Sequence, residues 1–183
     1  MNFIAGIKTF IFILSSCILY PVLILLAGLA VWIFFECGTL FADWIRRKKL
    51  PEGAEHPAVV GYREKLETLL SGKYIEADIQ NLLRKSIEAQ YAQLDKFRIT
   101  IRIAPALGLI GTLVPMGTAL ASLGQGDFSV MTSELVLAYT TTVVGLLISS
   151  LAYLINTVRR RFAEQDIREM EYLTERRFHE IHA

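Results

Sequence analysis

IAPALGLIGTLVPMGTALASL (Ile103–Leu123) and LVLAYTTTVVGLLISSLAYLIN (Leu135–Asn156) are two uncharged apolar runs, and a short polar stretch separates them. Each is close to the roughly 20 helical residues that cross a bilayer. Between them, Gly124-Gln125-Gly126-Asp127 is turn chemistry. The two runs therefore predict an antiparallel transmembrane hairpin.

A third run lies nearer the N-terminus. Phe10–Phe35 holds no charged residue and is bulky on all sides, interrupted only by Ser15, Ser16 and Pro21. Its length exceeds the roughly 7–15 apolar residues of a signal peptide, so it reads as a retained first span. The chain is 53% hydrophobic and yet 20% charged; no charge falls in Phe10–Phe35 or Ile103–Gly126, whereas Glu36–Arg102 and Arg159–Ala183 are dense in charge. One soluble core cannot hold both populations, whereas a membrane separates them. The expected fold is all-α: an integral membrane protein of three transmembrane helices, spans two and three forming the hairpin, with long cytoplasmic helical extensions.

Lys and Arg number one before the first span, twelve between spans one and two, none in the hairpin turn and six after span three. The positive-inside rule then puts the N-terminus outside and the long loop and C-terminus in the cytoplasm; the expected location is a cell inner membrane. The expected divisions are 1–36 (tail and first span), 37–102 (cytoplasmic helical loop), 103–156 (hairpin) and 157–183 (C-terminal cytoplasmic helix). In the loop, after a Leu50–Pro57 linker, Val59, Tyr62, Leu66, Leu69 and Leu70 share one helical face, and Ser71-Gly72 ends it. Ile75, Ile79, Leu83, Ile87, Tyr91, Leu94 and Ile101 continue a helical period. No breaker interrupts Ile75–Ala104, which predicts one helix running from the loop into span two. Phe162, Met170, Leu173 and Phe178 suit a helix continuing span three.

Net charge is +1, which gives no field for nucleic acid. The basic clusters Arg46–Lys49 and Arg159–Arg161 flank apolar spans and read as topological signals, the first also suiting anionic headgroups. Cys17 and Cys37 lie about 30 Å apart on one helix, too far to pair. Neither they nor His56, His179 and His182 have ligand or nucleophile spacing around them, so no metal, cofactor or enzymatic activity is expected.

Small and weakly polar residues are concentrated on the hairpin. Pro105, Gly108, Thr112, Pro115, Ala119 and Ser122 fall at spacings of three and four along span two. Ala138, Thr142, Gly145, Ser149, Ala152 and Asn156 do the same along span three. Such stripes either pack closely on each other or line a pathway or partner helix. Thr140, Thr141 and Thr142 are consecutive, so their hydroxyls cover more than half the helix circumference. Each can also bond its own backbone. Pro115 leaves a carbonyl without its usual donor. Neither hairpin span carries an ionisable residue at depth, so any carboxylate in an ion pathway has to come from another subunit.

The strings Ala104-Pro105-Ala106-Leu107-Gly108-Leu109-Ile110-Gly111-Thr112-Leu113 and Tyr139-Thr140-Thr141-Thr142-Val143-Val144-Gly145-Leu146 resemble the MotA/TolQ/ExbB proton-channel family, in its three-span ExbB/TolQ-like branch. The resemblance covers roughly Ala104–Asn156. It implies a homo-oligomer, a pentamer, surrounding an ExbD/TolR/MotB-like single-span subunit whose helix carries a membrane aspartate. Ion flow, of protons in the first instance, would then drive movement of one set of helices against the other. Thr112 and Thr142 match the family's threonines of the second and third helices, which face the central partner; Thr141, Pro115, Gly145 and Ser149 complete the expected pathway set. Leu137 stands where ExbB-type members often carry a glutamate, and Val114-Pro115-Met116-Gly117-Thr118 departs from the usual continuation. The reading from another class is a non-conducting membrane scaffold that packs partner helices and docks cytosolic proteins.

Overall fold

A computed structural model describes residues 2–49, 57–70 and 76–182, with side chains described over 17–49, 57–69 and 78–177. The described residues form four helices: α1 (Asn2–Lys49), α2 (Pro57–Leu70), α3 (Glu76–Gly124) and α4 (Phe128–His182). No strand occurs among the described residues. Three segments are long and apolar enough to cross a membrane: Cys17–Lys49, Asp78–Gly124 and Phe128–Arg177. The chain is an all-helical protein of three such spans. As expected, α3 runs unbroken from the polar loop into span two, and α4 runs from span three to the C-terminal segment. The expected linker over 50–56, the Ser71-Gly72 break, Ile75 and His56 lie outside the described residues, as do the side chains of Leu70, Phe178, His179 and His182.

α1 is longer than the apolar run suggests. It continues past Phe35 to Lys49, because Glu36–Lys49 contains no proline and its one glycine, Gly38, has open space around it. The last turn carries Arg46, Arg47, Lys48 and Lys49, which complement the negative end of the helix dipole.

The chain divides into two compact units. One joins Met1–Cys37 to Arg98–Tyr153, and the other joins Gly38–Phe97 to Leu154–Ala183. In the first, α1 buries Val22, Leu26, Ile33 and Glu36, while the hairpin buries mainly small residues: Ala104, Ala119, Ala138 and Ala152. The large apolar side chains, among them Leu109, Leu113, Leu120, Val136, Tyr139 and Val143, point outward. That inversion suits a solvent of lipid tails, where large apolar groups lose nothing by exposure.

The hairpin turn is closed by the chain's own groups. Gly126 has φ +79°, a left-handed conformation that glycine adopts without penalty. The Asp127 amide donates to the Ser122 carbonyl (3.0 Å) and the Gly126 amide to that of Leu123 (3.1 Å), which together form a Schellman ending. Asp127 then starts the next helix, its Oδ1 accepting from the Val130 amide at 3.1 Å, an N-cap that satisfies one orphan donor.

The second unit has a conventional apolar core. Val59, Tyr62, Leu66, Ile79 and Met170 are buried together, with Leu82, Leu83 and Leu173 against them. Tyr91, which fits the sequence period, is exposed, whereas Phe97 is fully buried. Thr174 Oγ1 donates to the Met170 carbonyl (2.7 Å), so in the 2.6 Å contact with Tyr62 the phenol is the donor. Burial pushes the Tyr62 hydroxyl above its ordinary pKa.

One arginine from each basic cluster also turns inward. Arg47 makes a bidentate pair with Asp166, at 3.1 and 2.8 Å, and its guanidinium lies 4.3 Å from the Phe162 ring centroid. Arg159 donates to Thr39 Oγ1 at 2.8 Å and lies over Phe97. These clusters therefore hold helices together as well as flanking apolar spans. Removing one member of a buried, bidentate pair costs about 3–5 kcal/mol, and Asp166 is buried. Arg47→Ala should accordingly lower the thermal midpoint of the detergent-purified chain by far more than Arg46→Ala.

The phenol supplies a pH test. A raised pKa means the folded state prefers the protonated phenol, so its stabilisation is complete below the unfolded value of 10.0 and is lost as pH rises through the folded value. Tyr62→Phe should cost about 1 kcal/mol at neutral pH, measured by denaturant unfolding, and should reduce the fall in stability at alkaline pH.

Candidate functional site

The hairpin seam begins with glycine. A Cβ built on Gly145 would lie 2.7 Å from the Ala104 carbonyl oxygen and 2.9 Å from Gly108 Cα; one built on Gly108 would lie 3.1 Å from the Thr141 carbonyl oxygen. Those neighbours are backbone atoms and cannot swing aside. α3 and α4 therefore meet backbone to backbone, which is how small residues let helices associate in lipid. One turn along, a Cβ on Gly111 would fall 2.9 Å from Thr141 Cβ.

Pro105 creates the next contact. A proline has no amide hydrogen for the carbonyl four residues earlier, which here belongs to Ile101. Ser149 of α4 donates its hydroxyl to that Ile101 oxygen at 2.9 Å. A carbonyl freed in hydrocarbon is costly unless a neighbouring helix supplies a donor, so Ser149 and Pro105 form a matched pair across the seam.

The expected stripes are thus centred slightly off the true contact line. The buried positions are Ala104, Gly108, Gly111, Pro115 and Ala119 on α3, and Ala138, Thr141, Gly145, Ile148 and Ala152 on α4. Of the expected pathway residues, Thr141, Pro115 and Gly145 fall on this line, and Ser149 sits at its edge. Thr112 and Thr142 are half-buried beside it. Gly111 and Ala104 were quoted in the sequence strings but assigned no packing role. Their three-and-four register with Gly108 and Pro115 is the signal that could have found them.

The three threonines separate as their spacing requires. Thr140 is exposed and donates to the Val136 carbonyl (2.8 Å). Thr141 is buried and donates to Ala138 (2.8 Å). The Thr142 hydroxyl has no hydrogen-bond partner among the described residues. Thr112 bonds the Leu109 carbonyl at 2.7 Å.

Helix geometry puts Thr112 and Thr142 on one side of the seam, offset by about 3 Å along it. Each follows directly the residue of the Gly111–Thr141 contact, and one residue is about 100° of helix rotation. Viewed from one end, antiparallel helices wind in opposite senses, so equal steps away from a shared contact turn toward the same side of the pair. Both hydroxyl-bearing residues therefore flank the seam together. No cluster able to hold a metal ion occurs among the described residues.

An all-helical chain with three segments long and apolar enough to cross a membrane and a glycine-seamed hairpin defines a multi-pass membrane protein. Residues 55–172, well over half of the chain, match the MotA/TolQ/ExbB proton channel family, and the chain belongs to that family. No curated protein and no solved structure matches it.

Gly145→Ala forces about one methyl group of overpacking against backbone, an effect of roughly 1–3 kcal/mol. Ser149→Ala leaves the Ile101 carbonyl unsatisfied, also about 1–3 kcal/mol. Both should lower the thermal midpoint of the purified chain in detergent. Gly28→Ala, with nothing within 4 Å of the added atom, should leave it unchanged.

Proposed function

We propose that this chain is the ion-driven, most simply proton-driven, stator or energiser subunit of a two-component membrane complex. Copies of the chain, a pentamer in this reading, surround an ExbD/TolR/MotB-like single-span subunit and convert ion flow into mechanical movement. The complex resides in a cell inner membrane, with the N-terminus outside and the Lys/Arg-rich segments in the cytoplasm. The four sequence divisions serve as first-helix scaffold, cytoplasmic loop, channel hairpin and C-terminal cytoplasmic helix.

What supports this reading is the Gly111–Thr141 contact, which by helix rotation sets Thr112 and Thr142 on one side of the seam. A channel hairpin has two requirements: its own helices must be locked together, and polar groups must remain beside the lock for a partner to use. Gly108, Gly145, Pro115 and Thr141 meet the first requirement and Ser149 supports it. Thr112 and Thr142 meet the second.

The hairpin has no ionisable residue at depth, so the proton-binding carboxylate in this mechanism is the partner's. Thr142 has a hydroxyl available to donate to that carboxylate when it is ionised, and Thr112 can do so by rotating away from the Leu109 carbonyl. Hydroxyls suit this role because they favour the charged form through hydrogen bonding and add no fixed positive charge to trap it. Protonation removes the need for that donation, so the partner helix is held differently before and after proton binding. That difference in free energy is what can drive movement.

Thr112→Val and Thr142→Val conserve shape and remove only the hydroxyl. Each should abolish or strongly reduce proton-driven output in cells carrying the partner subunit, while the copurified complex keeps its size and composition. Full output from the double variant would overturn the pathway assignment.

A further inference from the structure

We infer that the outward face of α1 from Phe41 to Lys49 lies in the headgroup layer of the bilayer and gathers anionic phospholipid there, so that the first span is anchored by Trp44 and Lys48 rather than ending at Phe35.

Glu36 is what makes the sequence boundary fall at Phe35, and the structure removes it from the outer surface. It is 6% exposed, continues the buried series Val22, Leu26 and Ile33, and is engaged by other groups of the protein. The lipid-facing side of α1 consequently carries no charge from Cys17 to Ala42. Phe34, Phe35 and Phe41 are exposed, Phe41 by 63% and Trp44 by 47%. Phe34, Phe41 and Lys48 are spaced seven apart, which keeps them on one strip of helix to within about 20° per step. Trp44 stacks on Phe41, with ring centroids 6.2 Å apart, and Lys48 Nζ lies 5.3 Å from the Trp44 ring centroid.

The charges divide by direction. Arg47 turns inward to Asp166, while Arg46, Lys48 and Lys49 are exposed. The nearest acid on α1, Asp43, is exposed but lies roughly 160° around the helix from the Phe34–Phe41–Lys48 strip, on the flank of Arg46, where it lines a cavity with Arg47 and Arg159. An unbroken apolar face that passes into stacked aromatics and then into the outward Lys48 and Lys49, with Arg46 exposed on the opposite flank, matches the order of a bilayer: tails, interface, phosphate. Trp44 lies nine residues beyond Phe35, about 13 Å along the helix. The depth of a span is set by such anchors rather than by a count of apolar residues.

The full chain contains two tryptophans, so Trp32→Phe leaves Trp44 as its only indole. The difference between wild type and Trp44→Phe isolates the same signal if Trp32→Phe does not fold. In vesicles of phosphatidylcholine with 30% phosphatidylglycerol as the chosen probe, about physiological in surface charge, Trp44 should be quenched by headgroup nitroxide more than by deep acyl nitroxide, and little by iodide. Energy transfer from Trp44 to an acyl-labelled phosphatidylglycerol should exceed that to the phosphatidylcholine analogue, by about five-fold per cation at low salt. The triple variant Arg46→Gln, Lys48→Gln, Lys49→Gln should equalise the two. Strong iodide quenching would put Trp44 in water, and shielding from every quencher would put it under protein. Equal transfer to both lipids in wild type would remove the headgroup preference. Any of the three overturns the inference.

Discussion

In hydrocarbon, bulky apolar side chains gain little by meeting one another, so the association of α3 with α4 has to come from close backbone contact and from polar groups that cannot be left bare. Gly108 and Gly145 supply the first, at a distance that excludes even a methyl group. Ser149 supplies the second by donating to the Ile101 carbonyl that Pro105 strips of its partner. The remaining geometry of the hairpin follows from this seam. It sets the level at which Thr141 meets Gly111, and one residue further on it places Thr112 and Thr142 on one side.

The turn makes the seam reproducible. Gly126 permits the left-handed step, and Asp127 both closes α3 and caps α4. With no slack between the helices, register is fixed from one end by the turn and from the middle by Pro105 and Ser149. The second unit is held by different physics. Its apolar core around Tyr62 and Met170 is supplemented by the Arg47–Asp166 pair and the Arg159–Thr39 bond. Charge is usable there because the paired groups are few, bidentate or stacked on rings, and surrounded by exposed charged neighbours.

Membership of a proton channel family and a hairpin without deep ionisable residues are complementary. In the proposed mechanism the chain supplies the frame and the hydroxyls and leaves the titrating group to a partner, which separates the rigid part of the complex from the part that changes charge. The close-packed seam suits the rigid part.

Much was legible in the sequence because membrane physics is severe. Uncharged runs of bilayer length, the Gly-Gln-Gly-Asp turn and the unbroken period from Ile79 through Ala104 leave few alternatives, and the three spans and the helical continuations follow from them. Three-and-four spacing put the small residues of the hairpin on one side, but spacing alone does not give the direction in which that side is rotated. Only the tertiary contact showed that Gly111 and Thr141 lie on the seam while Thr112 and Thr142 flank it. The same holds for the direction of charges. The sequence lists Glu36, Arg47 and Arg159 among polar residues bordering apolar runs, yet all three turn inward, because neighbouring helices offer burial or partners that a one-dimensional pattern does not record. Composition and period determined which segments are helices and which cross the membrane; the choice of which atoms touch belonged to the packing, since it depends on rotations of a few tens of degrees between rigid rods.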